Sequence, residues 1–205
     1  MHKMARERSR SQPNPEGEMK RVCLALLSCC LLAIPAAAQT SEQSAGKSEL
    51  SSWLRNAYAN TRNNLIKSAE SFPDNLYDMQ PGPQKEVRNY GQIIGHVANF
   101  NYRWCSQAKG EKNPNEGNDL EKIGTKAGLV KALHDAFSYC DPVYAGMTDA
   151  SAIEIITITQ ENGKQSQVPR MSLLIQNHAH NNEHYGNLVT YMRIKGIVPP
   201  SSQRR

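Results

Sequence analysis

Two histidines four residues apart, His180 and His184, are the side chains of this sequence best suited to metal chemistry. They lie in residues 168–200, where apolar residues recur with the three- and four-residue spacing of a long amphipathic helix. Residues at positions i and i+4 lie one turn apart on the same helix face, so both imidazoles can point at one ion. This spacing indicates two ligands of a metal site and raises the question of a third.

His96 is the candidate third ligand. It lies on the apolar stripe of a predicted helix over residues 85–106, between Ile93 and Phe100. A lone histidine on such a stripe is more often a core residue that bonds to a carbonyl group or to water. The sequence leaves both interpretations open for His96 alone.

Three neutral imidazoles would leave at least one coordination position of a divalent ion free, unlike the usual structural zinc site with its four protein ligands. Such an open site can activate a water molecule or polarise a substrate. The alternative is that the three rings bond only to one another and to buried water. Three histidines suit zinc, nickel and iron, so the sequence predicts a divalent metal ion without naming it.

Three asparagines, Asn99, Asn177 and Asn187, lie near the histidine stripes and could orient the ligands. His178 lies two residues before His180, roughly 200° around the helix, and is expected to point away from the site.

Residues 180–184 also match the H-x-x-E-H pattern of the inverzincin peptidases, in which a downstream glutamate is the third ligand. No acidic residue follows Glu183 in this sequence, so we interpret the match as chance. Glu183 is expected to face solvent or the rim of the site. No nucleophile or general base stands out, and the catalytic residues stay unknown.

The helical spacing continues through most of the chain from residue 47 onward. Thr125 can cap a third helix, and Pro142 is expected to kink that helix or end it soon afterwards. An isoleucine- and threonine-rich stretch followed by a turn signal predicts a small hairpin before the last helix. The predicted elements are helices over residues 47–71 and 85–106, a third helix after residue 125, a hairpin within 152–167 and a helix over 168–200.

We therefore predict an all-α fold, a four-helix bundle with a small β-hairpin before the last helix. The polar connection over residues 109–124 exceeds the roughly 2–8 residues that join antiparallel neighbours in a bundle. A long connection is what a crossover between parallel neighbours requires, so helices two and three are expected to be joined by one.

The first 38 residues have the pattern of a secretory signal peptide. A basic start at residues 19–21 is followed by an apolar run over 22–34 and by small residues up to Ala38, after which we expect cleavage. The polar residues before Met19 indicate a misplaced start, although the choice between Met1 and Met19 stays open.

Two alternatives to cleavage stay open. The first is an uncleaved membrane anchor, although the apolar run is shorter than the roughly 18 residues of a membrane-spanning helix. A lipoprotein site at Cys29 or Cys30 is less favoured, because only a short apolar run precedes it. The predicted organisation is a signal peptide over residues 1–38, a linker over 39–46, a helical domain over 47–200 and a tail over 201–205.

Removal of the leader changes the interpretation of charge and cysteine content. The leader holds six basic and three acidic residues, so the formal net charge falls from +5 to +2. A chain this close to neutral lacks the positive field of nucleic-acid-binding proteins, and no nucleic-acid partner is predicted. Cys105 and Cys140 remain and are a candidate disulfide in an exported protein, with two buried thiols as the alternative.

Two segments of the chain resemble the DinB-like superfamily: GQIIGHVANFNYRWC around His96, and HNNEHYGNLVTYMRIKGIVPP from His180. The resemblance covers roughly residues 50–200. It implies a four-helix bundle whose middle helices run parallel, and a metal site of three histidines that fall on His96, His180 and His184. Members often have Arg-Gly-Gln after the last histidine, whereas Tyr-Gly-Asn stands here, so no role is carried over to those positions.

The resemblance implies a metal-binding protein that is a metal-dependent hydrolase or a thiol transferase acting on a small-molecule substrate, and the leader adds the expectation of export. Thiol transfer needs a reduced thiol pool that an oxidising exterior does not maintain, so hydrolysis or metal-assisted binding is favoured. The alternative is a non-catalytic, stress-related bundle that binds a ligand. We expect a periplasmic or extracellular protein without stable membrane insertion after cleavage, and a homodimer through helix faces stays open.

Overall fold

The computed structural model describes residues 49–160 and 162–203. The predicted signal peptide and linker lie outside the described residues. Within that part of the chain no helix is both long and apolar enough to cross a membrane. The described elements are α1 (Glu49–Ser71), α2 (Tyr90–Lys109), α3 (Lys126–Gly146), the one-turn α4 (Asp149–Ala152), β1 (Ile155–Thr159), β2 (Gln165–Pro169) and α5 (Arg170–Ile194).

Helices α2 and α3 run parallel, as predicted. Their starts meet where Gly91 lies against Leu129. Near their ends a disulfide joins Cys105 to Cys140, with the two Cα atoms 5.4 Å apart and both residues fully buried. The structure therefore confirms both the long crossover and the predicted disulfide.

Helices α1 and α5 run in the opposite direction to that pair. Tyr58 near the start of α1 stacks on Tyr144 near the end of α3, with ring centroids 3.6 Å apart. Tyr90 at the start of α2 packs against Tyr191 near the end of α5, with centroids 6.1 Å apart. The core lies between the four long helices, and its largest fully buried side chains include Tyr90, Tyr144, Phe72, Phe137, Leu65, Ile94 and Leu188.

The start of α2 differs from the prediction, because residues 85–88 lie in a turn and the helix begins at Tyr90. Asn89 supplies the reason. Its side chain accepts the N–H of Gln92 at 2.7 Å, while the Gln92 side chain accepts the N–H of Asn89 at 2.9 Å. This reciprocal capping box satisfies two backbone donors that a helix start otherwise leaves unpaired.

Pro142 lies inside α3, which continues for one more turn to Gly146. Proline removes one backbone hydrogen bond and crowds the preceding turn. The last turn is held instead by tertiary packing, since Val143 and Tyr144 are buried. The Tyr144 hydroxyl also donates to the carbonyl of Leu174 in α5 at 2.8 Å.

The last helix carries clear signals at both ends. Pro169 precedes it as the N-cap residue. At the other end Gly196 adopts a left-handed conformation with φ of +70°. The N–H of Ile197 bonds to the carbonyl of Met192 at 2.9 Å, and that of Gly196 to Arg193 at 3.0 Å. This pair of bonds is the Schellman motif, which ends a helix at glycine.

The crossover between α2 and α3 passes very close to α2 at Gly95. A Cβ atom at this position would lie 2.4 Å from the carbonyl oxygen of Leu120 and 2.7 Å from the Cα atom of Glu121. Asn99, one turn further along α2, accepts the N–H of Leu120 through its side chain at 3.1 Å. The absence of a side chain at Gly95 therefore allows the short 3-10 helix Leu120–Lys122 to rest on α2.

Gly95→Ala should destabilise the protein by about 1–3 kcal/mol, because the new methyl group overlaps backbone that cannot rotate away. Gly186→Ala is the matched control, since nothing lies within 4 Å of that helical position. It should stabilise by about 0.5–1 kcal/mol through the higher helix propensity of alanine. Urea unfolding of both variants is the measurement, and equal stabilities for the two would show that the crossover does not rest on α2 as described.

Candidate metal centre

The three predicted histidines meet at one point between α2 and α5. His96 comes from the second turn of α2, whereas His180 and His184 lie one turn apart on α5. The Nε2 atom of His180 lies 3.1 Å from Nε2 of His96 and 3.0 Å from Nε2 of His184. One ligand atom from each residue lies within 4.8 Å of the others.

This arrangement fits a divalent ion. Two imidazole nitrogens bound to one zinc ion at about 2.0–2.1 Å in tetrahedral geometry lie roughly 3.3 Å apart. The observed Nε2 separations of 3.0 and 3.1 Å are close to that spacing. His96 and His184 are buried, so the three nitrogens form a site largely withdrawn from solvent. The residues present could therefore hold a metal ion without rearrangement of the helices.

Glu121 orients the ring of His96. Its Oε1 atom lies 2.6 Å from Nδ1 of His96, and its Oε2 atom accepts the Nε–H of Arg88 at 2.8 Å. A carboxylate at Nδ1 selects the tautomer with the proton on that nitrogen, which leaves Nε2 as a lone-pair donor. The residue comes from the crossover, so the contact of that segment with α2 also sets the histidine geometry.

Asn187 contacts the outer nitrogen of His184 in a similar way. Its side-chain amide lies 3.2 Å from Nδ1 of His184. A half-turn of the amide brings its oxygen to this position, where it accepts the Nδ1 proton and frees Nε2 to bind a metal. Nδ1 of His180 is buried and has no hydrogen-bond partner among the described residues.

Aromatic rings cover one side of the site. Phe100 packs on both His96 and His180, with centroid distances of 4.6 and 4.7 Å. Trp104 meets the edge of the His180 ring at 4.9 Å. These rings exclude water from the side of the site that faces them and limit rotation of the imidazoles.

A cavity of about 400 Å³ adjoins His184 and is lined by residues of α2, α5 and the segment before α2. Its walls include Arg88, Glu183, Asn187 and Tyr191. Glu183 is exposed and borders this cavity, which agrees with the rim position expected from the sequence. Of the three histidines, His184 is the one that lines this cavity.

Burial keeps all three imidazoles neutral near physiological pH. Burial, followed by the neighbouring His184 and His96, lowers the pKa of His180 to about 3. Burial also lowers the pKa of His184 to about 4, with His96 as the next cause. The pKa of His96 is lowered by burial as well, although its hydrogen bond to Glu121 opposes the shift. Neutral imidazoles are the form that binds metal ions.

Comparison with known proteins identifies the family. A sequence model of the DinB superfamily matches residues 57–188, more than half of the chain. The chain belongs to the DinB superfamily. The matched region contains all three histidines, Glu121 and Arg88. No curated protein matches the sequence.

Two solved structures share the DinB fold of this chain. A DinB-like protein of Bacillus subtilis, YjoA, has a TM-score of 0.56 and 19% identity, over 74% of this chain and 99% of its own. A conserved protein of Enterococcus faecalis has a TM-score of 0.56 and 12% identity, over 72% of this chain and 98% of its own. These similarities confirm the fold, in agreement with the resemblance found in the sequence.

The three asparagines that the sequence placed near the histidine stripes, and His178, have different surroundings in this DinB protein. Asn187 contacts a histidine, as described, whereas Asn99 supports the crossover through Leu120. The side chain of Asn177 donates to Asn101 at 3.1 Å and to the Tyr144 hydroxyl at 3.2 Å. His178 faces away from the site and contacts the side chain of Asn182.

Glu121 and Arg88 are the site residues that the sequence did not reveal. Both lie outside the long helices: Glu121 lies in the polar crossover, and Arg88 lies in the four residues that the sequence assigned wrongly to the start of α2. The carboxylate of Glu121 stands among several acidic and basic residues in the same polar loop, and nothing in its spacing marks it out. Only the packing of the crossover on α2 brings it to His96.

Metal-free protein should lose stability as the pH falls from about 6.5 towards 4. The unfolded chain takes up protons at His180 and His184 near their ordinary pKa of 6.5, whereas the folded protein resists protonation down to about pH 3 and 4. Lower pH therefore favours the unfolded state across this window. In His180→Asn the free energy of unfolding should decline less steeply with falling pH, because residue 180 no longer takes up a proton on unfolding. Urea unfolding at several pH values tests this, and parallel curves for both proteins would contradict it.

Proposed function

We propose that this chain is an exported DinB-family metalloprotein in which His96, His180 and His184 bind one divalent metal ion and support hydrolysis of a small-molecule substrate. The observation that carries the proposal is the convergence of three Nε2 atoms at separations of 3.0 and 3.1 Å beside an open cavity. A bound divalent ion would supply a Lewis acid and lower the pKa of a coordinated water molecule.

The residues around the histidines have distinct parts in this function. Glu121 holds the Nδ1 proton of His96, and Arg88 holds Glu121 through its second oxygen. Phe100 and Trp104 shield His180 from water on their side. A substrate would enter through the cavity beside His184, where Glu183 and Asn187 offer hydrogen-bonding groups.

Hydrolysis is favoured over thiol transfer by the chemistry of the compartment. The Cys105–Cys140 disulfide is typical of proteins that fold in an oxidising environment. Such an environment does not maintain the reduced small thiols that a transferase consumes. Export, predicted from the leader, is therefore part of the proposal and supports its choice of reaction class.

Elemental analysis of purified mature protein tests metal binding. We expect close to one divalent ion per chain in the wild type and a loss of most of it in His180→Ala, because two imidazoles alone hold the ion weakly. His134→Ala is the matched control: this histidine lies on α3, where it contacts Glu70 at 2.9 Å, and its removal should leave the metal content unchanged. A wild-type protein that binds no divalent metal after incubation with zinc, nickel or iron would favour a non-catalytic ligand-binding bundle.

Glu121→Gln should weaken metal binding by about 10–100-fold while the helices stay folded, because an amide holds the Nδ1 proton less strongly than a carboxylate. Competition with a chromophoric chelator gives the affinity, and circular dichroism gives the helix content. Glu116→Gln is the control, since Glu116 lies in the same crossover and pairs with Lys112 at 3.2 Å, away from the histidines. Equal affinities for the two variants would remove Glu121 from the site.

A further inference from the structure

The small hairpin before α5 has one strand edge with unused hydrogen-bonding groups. At the turn end of its ladder the N–H of Gln160 bonds to the carbonyl of Lys164, and at the other end the N–H of Arg170 bonds to that of Glu154, both at 2.8 Å. Bonded and non-bonded residues alternate along an antiparallel strand. The even-numbered residues of β1 therefore bond to β2, and the odd-numbered residues direct their backbone groups to the opposite side.

The odd-numbered residues of β1 are Ile155, Thr157 and Thr159. The carbonyl of Thr159 accepts a long hydrogen bond of 3.5 Å from the side chain of Gln107 on α2. The outward N–H and C=O of Thr157 have no backbone partner in the part of the chain that the structure describes. The centre of β1 thus presents one free donor and one free acceptor in the positions that a further strand would use.

A groove of about 660 Å³ runs along this edge. One wall is β1 from Thr157 to Gln160, and the other walls are the last turns of α2 and the start of the crossover, including Gln107 and Asn113. No residue of β2 lines it. The groove therefore lies on the side to which the free backbone groups of Thr157 point.

The sequence of β1, IITIT, carries no charged residue and no proline, the side chains that most often protect a strand edge. The side chain of Ile155 in this strand is 61% exposed. Natural proteins usually block such an edge with charges, proline, a bulge or a covering element. An open, uncharged edge beside a groove is instead the form found in proteins that bind peptides by strand addition.

We propose that this edge binds an extended peptide segment, which adds as an antiparallel or parallel third strand next to β1. Four extended residues at about 3.3 Å each, with a strand spacing of about 4.8 Å and a sheet thickness of about 10 Å, occupy roughly 630 Å³. The groove has about 660 Å³. The groove is therefore comparable in volume to one added strand of four residues.

The preferred peptide is neutral and rich in β-branched residues. Among the charged residues that line the groove, Lys112 bonds to Glu116 at 3.2 Å, Glu111 bonds to Lys109 at 2.7 Å, and the Arg103 guanidinium lies 5.5 Å from the centre of the Phe100 ring. The side chains that flank the edge on the exposed face are those of Ile155, Thr157 and Thr159. Cross-strand pairs of such residues are favourable, and a neutral ligand leaves the ion pairs of the groove undisturbed. This site is independent of the proposed metal site.

Titration with the acetylated and amidated peptide Thr-Val-Thr-Val-Thr tests the proposal, with backbone amide NMR shifts of the protein as the readout. We expect saturable shifts centred on Thr157 at peptide concentrations up to about 1 mM, with slower hydrogen exchange of the Thr157 N–H. Thr157→Pro should weaken binding at least tenfold, because it removes the outward N–H but no ladder bond to β2. Thr157→Val keeps that N–H and should bind as the wild type does.

Methylated peptides keep the test decisive if Thr157→Pro does not fold. Only one alternating set of peptide amides faces β1, so N-methylation of that set should abolish binding and methylation of the other set should not. Equal effects of the two sets, or no saturable shift with the wild type, would overturn the proposal. Concentration-dependent dimerisation of the wild type that Thr157→Pro abolishes would also overturn it, by assigning the edge to a second copy.

Discussion

One constraint governs the site: three neutral, largely buried imidazoles have too few N–H groups to satisfy every ring nitrogen that meets another. The carboxylate of Glu121 can only accept at Nδ1 of His96, so Nε2 of that neutral ring has a lone pair and no proton. His180 can carry a proton on its Nε2 atom, but that single N–H would have to serve both neighbouring rings, whose Nε2 atoms lie 3.1 and 3.0 Å away. The Nδ1 atom of His180 then remains a buried acceptor without a partner among the described residues. A cation bound at the centre would remove the competition among the three Nε2 atoms, since each could offer it a lone pair.

A buried layer of asparagines fixes the register that makes this contact possible. Asn101 of α2 donates to Asn181 of α5 at 3.1 Å and accepts from Asn177 at the same distance. All three are fully buried, so a shift of α2 along α5 would leave several polar groups unpaired in the core. Asn181 directly follows His180, and Asn101 lies five residues after His96. The same layer that aligns the helices therefore aligns the histidines.

Much of this could be predicted from the sequence, because the relevant signals are local. The spacing of His180 and His184 needs only one helix to put both rings on one face, and the IITIT stretch with its turn signal was enough for the hairpin. His96 was an ambiguous case, since a core histidine and a ligand share the same apolar stripe. The disulfide is a candidate in the sequence because the predicted cleavage of the leader leaves two cysteines, and the parallel helices bring them to the same end.

The residues that escaped prediction have a common physical origin. Glu121, Arg88 and the turn before α2 are placed by contacts between segments distant in sequence, and no periodicity records such contacts. The position of Glu121 follows from the topology: because α2 and α3 run parallel, the chain must return the length of the bundle before α3 begins. Gly95 lets that return segment lie directly on α2. The long connection therefore also supplies the carboxylate that sets the tautomer of His96. A bundle with four antiparallel helices and short loops would have no segment in that position, so the site and the crossover depend on each other.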